Sequence, residues 1–300
     1  MAHQTMSPLK RKEMVDGYLF IAPWLIGFVL WVAFPMLASL VLTFMGWDLF
    51  NPPEWVGLEN FRSLMTTDLV WISLWNTAYY TFISVPLSLA VALIAALFLT
   101  LQIRFQAFFR TFFYLPSVVP AVASAMLWYW IYNPDVGLAN ALLRMLRLPE
   151  SQWLWGVHSA KPAFILMSLW SVGNPMVIFL AGLQGIPTTL YEAAEIDGAN
   201  WWQSFRAVTL PMLSPVILFN LVLGIIGSFQ VFTNAFLMTN GGPQHATLFS
   251  VLYLYRLGFE QFRMGLASAL AWLLFLIILV FTLLQLRLSD AWVYYEGENR

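Results

Sequence analysis

The chain has 300 residues, 60% of them hydrophobic and 10% charged, whereas a soluble domain is about half apolar and a quarter charged. With a mean hydropathy of +0.74, this excludes a soluble globular protein, and a net charge of −1 supplies no basic field for nucleic acid. There is no cysteine, which removes disulfides, thiol nucleophiles and cysteine metal sites.

Charge-free intervals define the expected spans. They are Gly17–Trp47, Leu69–Ile103, Thr111–Pro134, Pro162–Tyr191 and Met264–Leu286, with Ala207–Tyr255 interrupted only by His245. Each can hold the roughly 20 apolar residues of a membrane helix. The reading is an all-α membrane protein of six spans, near Tyr18–Phe44, Ser73–Leu101, Phe108–Tyr132, Ala163–Gln184, Met212–Met238 and Met264–Leu286. The first apolar run is too long for a signal peptide and is expected to be a retained span. In domain terms, 1–16 is a tail, 17–289 the membrane domain with a polar loop at 186–211, and 290–300 a second tail.

Lys10, Arg11 and Lys12 precede the first span, so the N-terminus is expected in the cytoplasm. Alternation puts Gly46–Trp71, Asn133–Pro162 and Thr239–Arg263 outside. It puts Gln102–Ala107, Gly185–Pro211 and the C-terminus inside. Eight Lys/Arg then lie inside and six outside. Pro23, Pro35, Pro86, Pro116, Pro120 and Pro175 fall in spans, as kinks or as walls of a cavity. Gly224, Gly227 and Ser228 allow close helix packing or leave room for a ligand. Trp24, Trp31, Trp47, Trp128, Tyr129 and Trp130 read as interfacial anchors.

One stretch, Ile186–Pro215, is too polar to cross a bilayer, with Glu192, Glu195, Asp197 and Arg206. Thr189 with Glu192 fits a capping box, and Asn200 with Gln203 a looser one. Gly198 stands between them, where a helix ends in a left-handed cap. Pro211 and Pro215 close the segment. Two short helices with a sharp corner are expected.

The sequence has no HExxH, GxSxG or Walker A pattern, and His3, His158 and His245 fall outside the spans. No catalytic residue, cofactor or metal is therefore expected. No span carries an ionisable group in its interior, which argues against a proton-coupled carrier. If a solute moves, the free energy comes from elsewhere.

The Ile186–Pro215 stretch resembles the cytoplasmic signature loop of binding-protein-dependent ABC importers. It reads Glu192-Ala193-Ala194, Asp197-Gly198-Ala199, Gln203, Phe205 and Leu210-Pro211. Other segments are similar to the carbohydrate branch of that family: Gly57-Leu58-Glu59-Asn60-Phe61, Asn76-Thr77, Tyr114-Leu115-Pro116, Pro120, Trp128, Asn133-Pro134, Gly137 and Asn140. Leu237 through Pro243, Met264-Gly265 and Ala267-Ser268-Ala269 complete the match. The chain departs from the maltose permease, which has extra N-terminal spans and a large external insertion.

The resemblance implies a type I ABC importer permease fold with cytoplasmic coupling helices. It implies a second, different permease subunit, a dimer of ATPase subunits, an extracytoplasmic solute-binding protein and a carbohydrate substrate, all around a chain set in the lipid bilayer. Glu192, Ala193, Ala194, Asp197, Gly198 and Ala199 would couple to the ATPase. The carboxylates either reach across that joint or hold the corner itself. Aligned with a maltose-type relative, the sugar path falls on Ser117, Ala121, Val172, Gly173, Met176, Gly227, Ser228 and Val231. Asn174, Gln230 and Asn234 are nearby amides able to bind hydroxyls or to bridge helices. The alternatives are the same fold importing glycerol 3-phosphate or another polyol, and an independent channel or secondary carrier.

Overall fold

The computed structural model describes residues 8–101 and 104–294. His3, Arg300, part of each expected tail and the start of the Gln102–Ala107 connection lie outside them. The chain divides into two compact units, the smaller formed by Met1–Leu64 with Leu257–Trp272 and the larger by Met65–Arg256 with Leu273–Arg300.

The smaller unit opens on α1, Pro8–Phe28, a π-helical turn at Val29–Ala33, and α2, Phe34–Leu42. Helix starts ten residues before the expected span at Tyr18, because Leu9-Lys10-Arg11-Lys12-Glu13-Met14 are good helix formers. Pro35 lacks an N–H, and its ring crowds the carbonyl four residues back. The π turn makes room for it: the Phe34 N–H reaches the Val29 carbonyl, one residue further than in an α-helix. Trp31 projects from this turn, 81% exposed.

A two-residue antiparallel pairing of β1, Met45–Gly46, with β2, Glu54–Trp55, comes next, then α3, Glu59–Thr66. This pairing is a small exception to the all-helical expectation. Asn60 Nδ2 donates to the carbonyls of Thr43 and Met45, each at 2.9 Å. The last helix of the chain begins in this unit, where the Met264 N–H donates to the Trp47 carbonyl at 2.9 Å. A Cβ on Gly265 would lie 1.8 Å from the Met45 carbonyl oxygen, so this approach admits only glycine.

The larger unit is built on α4, Asp68–Thr100, which runs through Pro86 without a break. Next come α5, Gln106–Val118, and α6, Ala121–Ile131, which meet at 100°. The expected span Phe108–Tyr132 is therefore no straight rod. Pro120 pushes Val119 into extended backbone (ψ 128°), which ends α5. The short α7, Leu138–Met145, precedes α8, Ala160–Ser168, and a 3-10 turn leads into α9, Gly173–Gln184, across a 47° bend. Pro175 sits in the first turn of α9, where its missing N–H has no intrahelical partner to lose.

After α9 come α10, Thr188–Ile196, α11, Trp201–Ser204, a π turn at Phe205–Thr209, and α12, Leu210–Ser228. From Trp201 to Ser228 this is one helix of 28 residues. The expected span Met212–Met238 thus starts earlier and stops at Ser228. Phe232, at φ −131° and ψ −65°, leaves helical geometry and separates off α13, Thr233–Met238. The unit closes with α14, Ser250–Tyr255, and the body of α15, Met264–Ser289. Among the described residues four helices are long and apolar enough to cross a membrane, or six if each bent pair is one span.

The core of this unit lies where α4, α9 and α12 meet, around Ala92, Ala96, Leu99, Met176, Phe179 and Leu213. Alanines let the backbones approach, and close van der Waals packing drives helix association in lipid. Gly224 serves the same end. A Cβ there would lie 2.9 Å from Val85 Cγ1.

Candidate coupling corner and substrate path

The corner forms from Gly185 onward. Pro187, at φ −58° and ψ 130°, is the N-cap of α10. The expected Thr189–Glu192 capping box is not formed, because the helix begins at Thr188 and leaves Thr189 inside the first turn. Proline presets the entry angle but has no side-chain acceptor to offer.

The far end of α10 is a complete Schellman cap. The Ala199 N–H donates to the Ala194 carbonyl and the Gly198 N–H to the Glu195 carbonyl, both at 2.9 Å. Gly198 has φ +75°, the left-handed region where a Cβ costs about 1–2 kcal/mol. Two residues later the Asn200–Gln203 capping box is present in full. The Gln203 N–H donates to Asn200 Oδ1 at 3.0 Å, and the Asn200 N–H to Gln203 Oε1 at 2.8 Å.

The expected second short helix is instead the start of a long one. Leu210-Pro211 and Pro215 lie inside the helix that runs on to Ser228. The π turn repeats the arrangement seen before Pro35, with the Leu210 N–H donating to the Phe205 carbonyl. Neither proline is a stop signal here.

Glu192, Ala193, Asp197 and Gly198 are exposed, while Ala194 and Ala199 are half-buried. Among the described residues the side chains of Glu192 and Asp197 make no hydrogen bond or ion pair, so neither carboxylate holds the corner. Backbone caps and the Asn200–Gln203 pair do that. Three apolar side chains on the corner escaped the sequence reading: Ile196 is 87% exposed, Trp201 68% and Trp202 59%. The signal was available, since large apolar residues in an otherwise polar loop mark a contact surface. One side-chain bond ties α10 back to the membrane body, between the Tyr191 hydroxyl and Thr209 Oγ1 at 3.0 Å.

The expected path residues do not fall together. Asn174, Gly227, Ser228 and Val231 line a cavity of ≈360 Å³ among α4, α8, α9 and α12. A Cβ on Gly227 would meet nothing within 4 Å, so this glycine leaves space. Val172 and Met176 are buried in the core between α4, α9 and α12. Gly173 is buried against α5, where an added Cβ would lie 2.4 Å from Ser117 Oγ. Ala121 opens α6 and is exposed, as is Gln230 just past α12. Asn234, on α13, keeps its Oδ1 buried without a partner.

The cavity has a wall the sequence reading missed. Tyr80, Ser84 and Ser88 of α4 face it together with Ser168 and Asn220. Ser88 Oγ lies 3.3 Å from Ser168 Oγ. Residues 76, 80, 84 and 88 are all polar at a spacing of four, one face of a helix in an apolar span. No charged side chain lines this cavity.

Other expected residues turn out to anchor loops. Asn76 Nδ2 donates to the carbonyls of His245 (2.8 Å) and Leu248 (3.2 Å), and Lys161 Nζ donates to Asn76 Oδ1 at 3.0 Å. Thr77 Oγ1 and Ser250 Oγ are 3.0 Å apart. Asn140 Nδ2 donates to the carbonyls of Pro134 and Ser151. Its Oδ1 accepts from the Trp153 indole at 2.7 Å and the Ser151 N–H at 3.1 Å. Trp128 is half-buried, tilted against Tyr132 and edge-on to Trp170, with its Nε1 buried inside the protein.

Residues 88–293 match the family described as binding-protein-dependent transport system inner membrane component. The chain is 43% identical to a probable ABC transporter permease, YesP, of Bacillus subtilis, over 96% of this chain and 95% of that one. It is 33% identical to the trehalose/maltose transport system permease MalF of Thermococcus litoralis (96% and 98% covered). It is 32% identical to the arabinooligosaccharide permease AraP of Bacillus subtilis (94% and 90%). Its fold is that of a chain in a bacterial alginate ABC transporter bound to its alginate-loaded periplasmic protein, with a TM-score of 0.80 at 24% identity over 94% of this chain and 95% of the other. The uninterrupted match along both sequence and fold makes this chain a member of the binding-protein-dependent transport system inner membrane components.

Proposed function

We propose that this chain is one permease subunit of an ATP-driven importer for a sugar or oligosaccharide. Residues 17–289 act as one membrane domain with both termini in the cytoplasm. The corner built on Glu192, Ala193, Ala194, Asp197, Gly198 and Ala199 docks on a separate ATPase subunit, one of a dimer. A second, different permease completes the path, and an extracytoplasmic binding protein delivers the solute. The chain itself is no enzyme.

One observation carries this reading. The corner is preshaped by its own caps, and among the described residues its exposed Glu192 and Asp197 carboxylates make no hydrogen bond or ion pair. A surface held in one form and unused by its own chain is ready for another subunit. Relatives that carry trehalose, maltose or arabinooligosaccharides support a saccharide as the cargo. The cavity agrees, offering hydroxyls and amides with no charge.

In mechanism, ATP draws the two ATPase subunits together, and the corner passes that closure to the spans. The loaded binding protein and ATP each favour one state of the path, and the importer shifts between states accordingly. Ser117, Ala121, Gly173, Asn174, Met176, Gly227, Ser228, Gln230, Val231 and Asn234 are the residues we assign to the solute side of that movement. Asn174, Gly227, Ser228 and Val231 make direct contact.

Gly198→Asp tests the corner. Nothing lies within 4 Å of a Cβ at this position, so the added group has room in the chain itself at a backbone strain of about 1–2 kcal/mol. The variant is expected in the membrane in normal amount, with ATP hydrolysis no longer driving uptake. Normal sugar uptake in that variant ends the coupling role. Flux by this chain alone in proteoliposomes would favour an independent channel or carrier instead.

A further inference from the structure

Behind the corner lies a second cavity, of ≈700 Å³, that the transport path does not use. The back face of α10, at spacings of three and four, is Thr188, Tyr191 and Glu195, and all three line it, together with Ala199 just past the cap. Across from them stand the C-terminal turns of α4 and α9 and the first turns of the Trp201–Ser228 helix. The volume is within the usual range for small-molecule sites.

The lining chemistry is specific. Glu195 supplies one carboxylate, Gln106 and Gln184 two amides, and Tyr191, Ser204 and Thr209 three hydroxyls. Trp201 and Phe205 stack with ring centroids 5.6 Å apart and planes within 8°, forming an aromatic plate at the edge. A flat aromatic face beside carboxylate, amide and hydroxyl groups matches a sugar ring, which has one apolar C–H face and a rim of hydroxyls. Leu97, Leu99, Leu183 and Ile186 close the rest with apolar surface.

We propose that this cavity is a regulatory site for free saccharide on the cytoplasmic side, an inference that rests on the importer reading above. The corner is tied to the body through Tyr191, whose ring packs against the core of α4, α9 and α12 and whose hydroxyl meets Thr209, with open volume beside it. A saccharide seated there props α10 away from α4 and α9. The ligand binds the propped state and not the state in which α10 closes onto the body, so it shifts the population away from the closed state. Accumulated sugar thereby slows its own import.

The test uses the complete importer in proteoliposomes, with loaded binding protein outside and ATP inside. The probe is trehalose, maltose or arabinotriose, whichever is carried, trapped inside at millimolar concentration against sorbitol as osmotic control. Trapped sugar is expected to lower the initial uptake rate about fivefold, a typical coupling between two sites. Gln184→Leu and Glu195→Ala, separately, are expected to keep the uncompeted rate and abolish the inhibition. Saturation-transfer NMR of the sugar on the complex, with binding protein omitted, gives a readout independent of transport. Its signal at this site is expected to disappear in both variants. Uptake that ignores trapped sugar, or inhibition and NMR signal unchanged in both variants, overturns the site. Loss of ATPase binding in both variants also overturns it, by making the cavity part of the docking joint. Sugar uptake that proceeds without ATP and without the ATPase subunits sinks the importer reading, and this inference with it.

Discussion

The two ends of α4 are built on opposite plans. At its N-terminal end Asn76, Thr77 and Ser250 are buried with Ala246, Thr247 and Leu248, and hydrogen bonds join them to the loop from His245, with Lys161 closing the network. At its C-terminal end Leu97, Leu99 and Thr100 face a cavity, and α10 beyond it is shaped by its own caps and meets the body through Tyr191. A fully paired buried polar network specifies one geometry, since each broken bond leaves an unsatisfied group in a dry place. A self-capped helix keeps its shape wherever it is carried. The first end is locked by buried hydrogen bonds, and the second carries a helix that keeps its own shape beside an open cavity.

That contrast can be broken by substitutions whose effects should separate into function and stability. The largest effect is expected in the open cavity. Ser228→Trp should fill the space beside Gly227 and reduce uptake to background, while the ATPase subunits still co-purify; unchanged uptake would remove position 228 from the path. Next is Asn140→Ala. It leaves the Trp153 indole and the Ser151 N–H without their acceptor and should cost about 3 kcal/mol. A thermal melt in detergent reads this, and a melting temperature equal to the parent would deny the anchoring role. Thr77→Val removes the bond to Ser250 from the anchored end of α4 and should cost about 1–2 kcal/mol in the same melt, with uptake per folded molecule unchanged. The smallest effect belongs to the corner. Asn200→Ala should cost about 1 kcal/mol, confined to the start of its helix. Hydrogen exchange should quicken at the Gln203 amide and leave the global melt in place. A global shift instead would mean that the corner is part of the rigid body after all.

The sequence revealed the corner better than the path. Gly198 and the Asn200–Gln203 pair are local signals, because a left-handed cap and a capping box are each settled within four residues. Thr189 misled because Pro187 had already fixed where the helix starts. Pro211 misled because a proline ends a helix only if nothing upstream widens to receive it, and the π turn at Phe205–Thr209 does so. The 100° angle between α5 and α6 could not be read from Pro120, which marks a break without setting its direction. Residues carried over by resemblance scattered between cavity and core, since Met176 and Asn174 are two residues apart on α9 and face different neighbours. The hydroxyl wall of α4 was visible as a four-residue period, yet a search for charge-free intervals passes over uncharged polar groups.

The unbroken helix from Trp201 to Ser228 gives the molecule a lever. Its first turn is the corner and its last lines the cavity, about 40 Å away at 1.5 Å per residue. A tilt of about 10° at one end would carry the other by about 7 Å over that length, more than the width of a sugar ring. The wide turn before Pro211 sits near the corner end, where a compliant joint takes up a push without bending the arm. The proposed docking corner and the proposed solute cavity are thus joined by a single rod.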